Sequence, residues 1–263
     1  MVQKKRLFFG LEVFCPWPNL PNGRQLIIEN RHLTICFLGS VDYEKFNQFL
    51  QTFPKPDFYI SPAGFFDSVI FLPKKSPNVA AFHAYLFNFA ILQNYKEKLR
   101  NWLQIIKAAT HDHHPWIAHV TVARQPFDQS EWKKAFAALP FICGNIVLYE
   151  SLSHSKYERL WSYPLVCPFE EIPHVADIAF EIRGLSFLQL YQNAFTVLSF
   201  RFPPMAGMLS HRETFESLDD VIVQLNMDFA IIDAKIGIPF KAISYHGDFQ
   251  ERQYLKWEMV VDV

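Results

Sequence analysis

The apolar positions change period several times along the chain, and each change marks an expected element. Residues 7–13 and 31–38 are runs of aromatic and aliphatic residues bounded by turn formers, the pattern of buried strands, with Gly39 expected to close the second. A Pro-rich turn at Pro16, Pro18 and Pro21 separates them. Residues 58–60 and 68–72 read as two strands split by Pro62 and Gly64. From 78 to about 109 the spacing predicts helix, with Phe82, Leu86, Phe89, Ile91, Leu99, Leu103 and Ile106 near i, i+3, i+4 and i+7 positions. A polar loop over 110–115 leads to a strand at 117–124. A short helix is expected over 131–139 and a hairpin from 146–152 and 159–163.

Pro164, Pro168 and Pro173 then punctuate a change of pattern, which places a boundary at 165–170 and divides the chain into units 1–166 and 167–263. Beyond it, 175–183 alternates as a strand and a helix follows from 186 to about 199. A second amphipathic helix over 219–236 carries Leu218, Val221, Ile222, Leu225, Phe229 and Ile232 on one stripe, and 241–246 with 254–261 form a strand pair around Gly247. Strands at both ends of the first unit with helix between them indicate the α+β class.

Composition narrows the function classes. A 50% hydrophobic chain with 27 Phe has the apolar surface to bury a core, and a formal net charge of −1 with a pI near 6.8 excludes the overall basic excess of a non-specific nucleic-acid binder. Any RNA contact is therefore local. Cys15, Cys36, Cys143 and Cys167 form no CxxC pair, which fits a reducing compartment better than a disulfide framework or zinc site. Residues 1–9 have no apolar run of signal-peptide type before the first strand, and no stretch approaches the ~20 apolar residues of a membrane span. A cytoplasmic protein without a membrane partner is expected.

The chemistry concentrates in a duplicated pattern: His32-Leu33-Thr34-Ile35 and His119-Val120-Thr121-Val122. On a strand, successive side chains alternate faces, so each His shares a face with its Thr while the apolar residues face a core. Two such strands offer two proton-transfer groups and two hydroxyls around one bound group, as in-line cleavage of a phosphodiester requires. A single His-x-Thr on a strand is more often a core histidine; the matched pair shifts the balance to function. Arg124 lies on the opposite face of an ideal strand but can reach a phosphate from the strand end, and a surface ion pair is an equal reading.

The segments RLFFGLEV (6–13), NRHLTICFLG (30–39), HVTVAR (119–124) and IVLYESLSHSKYERLWSYPL (146–165) resemble the RNA 2′,3′-cyclic phosphodiesterases of the 2H phosphoesterase superfamily, once called 2′-5′ RNA ligases. The resemblance implies a bilobal fold, two antiparallel sheets around a cleft with flanking helices. It also implies His32 as proton donor to the leaving 3′ oxygen, His119 as acceptor from water, Thr34 and Thr121 as phosphate ligands, a 2′-phosphomonoester product and no metal. Only about 18 residues separate Val13 from His32, less than the family usually has there.

In the second unit, Asp177 stands among apolar residues and Asp262 follows Val260-Val261. Acidic residues in such company are ion-paired structural groups or ligands for a hard cation, and by themselves favour the first. The segments FEEIPHVADIAFEIRG (169–184), LQLYQNAF (188–195), PFKAISYHG (239–247) and WEMVVDV (257–263) resemble archease, a small α/β sandwich protein that serves as cofactor of the GTP-dependent RNA ligase acting on 3′- or 2′,3′-cyclic phosphate ends. That resemblance implies Asp177, Asp262 and the main chain or terminal carboxylate of Val263 as ligands of a divalent ion such as calcium. The stretch 199–237 is shorter than the family's middle region and has no central strand pair.

Taken together, the expectation is a phosphodiesterase fused to an archease-like module, with RNA ends carrying 2′,3′-cyclic phosphates and a GTP-dependent RNA ligase as partners in tRNA splicing or RNA repair. The rival readings are an RNA-end binding partner without turnover, and an enzyme acting on a small cyclic nucleotide or ADP-ribose cyclic phosphate. Other features are read as structural: His111, His113 and His114 as a solvated loop, His83 as a core residue of the helical stripe, and Lys74-Lys75 as solvated charge. His154 and Tyr157 lie near the hairpin turn, where stacking on a base is the minor reading, and His246 has no assigned role.

Overall fold

The structure, a computed structural model, describes residues 4–108, 115–175, 177–210 and 212–263; the side chains of His154 and of residues 245–248 also fall outside the description. The first part contains strands Lys4–Phe14 (β1), Arg24–Gln25 (β2) and His32–Asp42 (β3), helix Tyr43–Asn47 (α1), strands Ala63–Leu72 (β4) and Val79–Leu86 (β5), helix Phe89–Ile105 (α2), strand His119–Arg124 (β6), helix Gln129–Ala135 (α3), and strands Leu139–Ser151 (β7) and Tyr157–Tyr163 (β8). They form one eight-stranded sheet in the order β1-β3-β6-β5-β4-β7-β8, with β2 on β6 and a further β1–β7 pairing.

That last pairing corrects the expectation of two separate sheets. β7 is 13 residues long, enough to pair with β4 through Leu139–Ile142 and with β1 and β8 through its later residues. The ladder therefore runs continuously through β1, β3, β6, β5, β4 and β7 and returns to β1. Its apolar face packs against α2 in a core that includes Phe9, Leu33, Leu99, Leu103, Val120 and Leu148.

Three local expectations also change. Gly39 does not end its strand: at φ +78° it accommodates the irregularity where Leu7 faces Gly39 but Phe8 faces Phe37, and β3 continues to Asp42. Residues 58–60 are outside the strands, and β4 runs unbroken through Gly64. The expected helix over 78–109 is a strand followed by a helix: Phe82 and Leu86 are four apart, a spacing that periods of 2 and 3.6 both place on one face. Ladders to β4 and β6 decide for the strand, burying Phe82, Ala84 and Leu86 while His83 and Tyr85 turn outward.

The chain leaves this sheet after Tyr163 and enters a second one at Phe169. Strands Phe169–Ile172 (β9) and Ile178–Gly184 (β10), helices Phe187–Arg201 (α4) and Leu218–Ile236 (α5), and strands Ala242–Glu251 (β11) and Leu255–Asp262 (β12) form a four-stranded sheet, order β11-β12-β10-β9, covered by the two helices. Ser186 caps α4, and Ser217 with Asp220 makes a capping box for α5, so both helices start where the sequence places a short polar cap before an apolar stripe. The second core gathers Ile182, Leu190, Phe195, Leu225, Phe229 and Trp257 around them, and Phe65 of β4 belongs to it, edge-on to Phe195 at 6.1 Å. The whole is α+β, and among the described residues no helix is long and apolar enough to cross a membrane.

Candidate functional site

The two His-x-Thr segments are neighbours in one sheet, joined by the antiparallel ladder pair Leu33–Val120. Both of these residues are fully buried, so the alternating residues turn to the other face. Antiparallel order about that one pair puts Thr34 on the same side as His119 and His32 on the same side as Thr121. Imidazole and hydroxyl thus alternate at the corners of a four-residue patch. Beyond that one pair, Trp116 ties the strands by donating from Nε1 to the Thr34 carbonyl at 3.0 Å.

Each ring is fixed in the same way. His32 Nδ1 lies 2.8 Å from the Asn30 carbonyl and His119 Nδ1 lies 2.7 Å from the Ile117 carbonyl, in each case two residues back. A carbonyl oxygen only accepts, so each Nδ1 carries the proton, and each neutral ring presents its lone pair at Nε2.

The rings differ in surroundings. His32 is 9% exposed, with ring centroids of Phe8 at 4.7 Å, Tyr149 at 5.2 Å and Tyr157 edge-on at 4.7 Å. Burial pushes its proton affinity down to about 4, opposed by the Asn30 carbonyl and reinforced by His119. Gly10 makes room for it: a Cβ there would lie 3.4 Å from His32 Cδ2 and 3.1 Å from the Leu33 carbonyl oxygen. His119 is less enclosed; its proton affinity is lowered first by burial and also by His83, against the effect of the Ile117 carbonyl.

Arg124 ends β6, three positions past Thr121 and opposite Arg24 of β2 and Val79 of β5, and its buried Nε has no hydrogen-bond partner. Glu12 pairs in register with His32 and holds Arg159 at 2.7 Å, which places an ion pair at the rim. These aromatic and ionic neighbours have no sequence motif; they come from distant strands. Tyr157 stands edge-on to His32, part of the wall around that ring.

His83 is not a core residue of a helix. It stands on β5 directly across from His119, partly exposed, with Nδ1 2.8 Å from Asp67 Oδ1. The signal was present in VAAFHAYL, where His and Tyr alternate with apolar residues, but the four-residue Phe82/Leu86 spacing masked it.

At the far end of the second sheet, β10 and β12 pair as Ile178–Val261, with Asp177 and Asp262 the next residue along each chain. The oxygens are of the type a hard cation takes. Lys241, however, donates to the Val263 carbonyl at 2.6 Å and lies 3.9 Å from Asp262 Oδ1, and Asp177 is met by His174 at 3.9 Å. The ammonium of Lys241 stands where the cation is expected, so the donor set fits an ion only when that side chain moves away. Among the described residues, no group of three or more His, Cys, Asp or Glu side chains is arranged to hold a metal. His111, His113 and His114, and the side chains of His154 and His246, lie outside the described residues.

No protein-family model matches the chain. No curated protein matches it either. Among solved structures it is similar to LigT of E. coli in the apo form (19% identity, TM-score 0.44, covering 62% of this chain and 98% of that one) and to TT0787 of Thermus thermophilus (17%, 0.44, 61% and 97%). It is also similar to a protein described as a phosphoesterase (20%, 0.41, 61% and 98%).

Proposed function

We propose that the site hydrolyses 2′,3′-cyclic phosphodiester ends of RNA to 2′-phosphomonoesters. One observation carries the reading: two imidazoles, each locked through Nδ1 to a main-chain carbonyl, share one face with two threonine hydroxyls across a single ladder pair. Water attacks phosphorus and gives a proton to His119 Nε2. The new P–O bond forms as the bond to O3′ breaks, and O3′ takes the proton from His32 Nε2–H. Thr34 and Thr121 donate to the non-bridging oxygens, and Arg124 supplies a guanidinium whose buried Nε gains the partner it lacks. The protons and charges of the step balance with these groups.

Both rings are neutral at rest, and the acid must be charged to act. A phosphodiester anion about 4 Å from His32, at an effective dielectric near 20, stabilises the imidazolium by about 4 kcal/mol, or about 3 pK units. That is enough to lift His32 from about 4 to near neutrality. Substrate binding thus arms the acid, and the productive complex is the one in which the added proton sits on His32 while His119 is neutral.

The test is turnover of an RNA oligomer ending in 2′,3′-cyclic phosphate, in excess chelator, with the product isomer identified, beside His32→Ala and His119→Ala. The expected result is a 2′-phosphate formed at a rate that falls about 10²–10⁴-fold in each variant. An inactive wild-type chain, or a variant as active as wild type, sinks the reading. For the second unit the proposal is a cofactor module for an RNA ligase that binds a divalent cation through Asp177, Asp262 and Val263; the last ladder pair of β10 and β12, Ile178–Val261, which adjoins Asp177 and Asp262, supports it.

A further inference from the structure

The sheet carries a third imidazole beside the pair. On the site face His119 on β6, His83 on β5 and Ser68 on β4 are each opposite the next across a ladder, and Thr34 on β3 follows Leu33, the partner of Val120. The β4–β5 register shifts between Phe66 and Ser68, so Asp67 is the extra residue of a bulge. A bulge re-aims a side chain, and here the re-aimed carboxylate accepts from His83 Nδ1 at 2.8 Å and from Ser68 Oγ at 2.7 Å. An exposed contact of this kind contributes at most about 1 kcal/mol to stability, too little to explain a distortion of the ladder by itself.

We propose that His83, aligned by Asp67, is a third catalytic imidazole that holds the attacking water for His119. With Nδ1 turned to β4, the Nε2 of His83 is left for the groove. Cβ atoms about 4.5–5.5 Å apart leave the ring edges of an opposed pair the room for one bridging water. That water gives one proton to His119 as it attacks, and its second hydrogen is held by His83 Nε2 without transfer. A proton on His83 disfavours one on His119, so the two facing rings are not charged together, and the step uses both in the neutral form. Ionisable groups around His83 are Asp67 on β4, His119 on β6, Tyr85 two positions along its own strand, and Arg212 across a cavity of about 230 Å³ that Asp67 and Tyr85 also line.

The inference rests on His119 as the base, so its test has an arm that needs no turnover. The ring of His119 is titrated by NMR in the full chain, in wild type, His83→Gln and Asp67→Asn, and steady-state kinetics are measured on the cyclic-phosphate oligomer. In His83→Gln the His119 midpoint is expected to rise, and in both variants kcat is expected to fall at least about tenfold with KM little changed. Asp67→Asn preserves shape and guards against misfolding of the His83 variant. If kcat matches wild type in both variants, or the His119 midpoint in His83→Gln matches wild type, the inference is overturned. A wild-type chain with no turnover instead overturns the proposed reaction, and an unmoved His119 midpoint in His83→Gln would then overturn this inference as well.

Discussion

Leu33 and Val120 face each other, fully buried, as the ladder pair between β3 and β6, and they hold His32, Thr34, His119 and Thr121 on one face without touching any substrate. Cutting either to Ala opens a cavity beneath the site at a cost of about 2–5 kcal/mol. The core pair and the chemical face are thus one device, and perturbing either reads out in the other.

The pH dependence follows from His32. Its folded-state affinity, about 4, lies below the ordinary 6.5, so between those values the unfolded chain binds more protons. Stability from this group is complete above pH 6.5 and declines as pH falls toward 4, by about 3 kcal/mol. Denaturant unfolding at pH 7 and pH 4.5 should show a smaller acid loss in His32→Gln than in wild type; equal losses refute it.

Binding of inorganic phosphate should raise the His32 midpoint, for the reason that arms it in catalysis. NMR titration with and without phosphate checks this, and an unmoved midpoint argues against an anion site between the rings.

Gly10→Ala puts a methyl group 3.4 Å from His32 Cδ2, 3.5 Å from Tyr149 Cε2 and 3.1 Å from the Leu33 carbonyl oxygen. The tight contact is the carbonyl, so the backbone at Leu33, next to His32, must give by a few tenths of an ångström. Turnover is expected to fall about tenfold or more while stability changes by no more than about 1–3 kcal/mol. Unchanged kcat would mean that the position of His32 does not limit the reaction.

Lys241→Ala removes the ammonium from the Val263 carbonyl and from Asp262. Calcium should then raise the Tm of the variant more than that of wild type, by up to about 3 kcal/mol of stabilisation at a hundredfold excess over Kd. Equal calcium responses in the two chains would remove the cation site.

Asp228 is a buried carboxylate that accepts from Tyr191, Ser210 and Gln224, linking α4 to α5. Asp228→Ala strands three donors and is expected to cost about 3 kcal/mol, read as a lowered Tm. A change within about 0.5 kcal/mol would show that the network is structurally idle.

Much was legible in the chain itself. Alternation around His32, Thr34, His119 and Thr121 fixes which side chains share a face, because a strand's period is set by backbone geometry alone. Caps at Ser186 and Ser217 mark the starts of α4 and α5, since capping is a contact within four residues. These properties are local, and local sequence determines them.

What required the tertiary structure are relationships between distant strands. The ladder register placed His83 opposite His119, a bulge aimed Asp67 at it, and Phe8, Tyr149 and Tyr157 met around His32 from three separate strands. No spacing in sequence encodes a register between strands, which hydrogen bonding and shared burial select only when the sheet assembles. The proton affinity of His32 likewise comes from burial, which no residue determines alone. The sequence specified the reactive groups and their faces, and the folded sheet decided their neighbours and their charge.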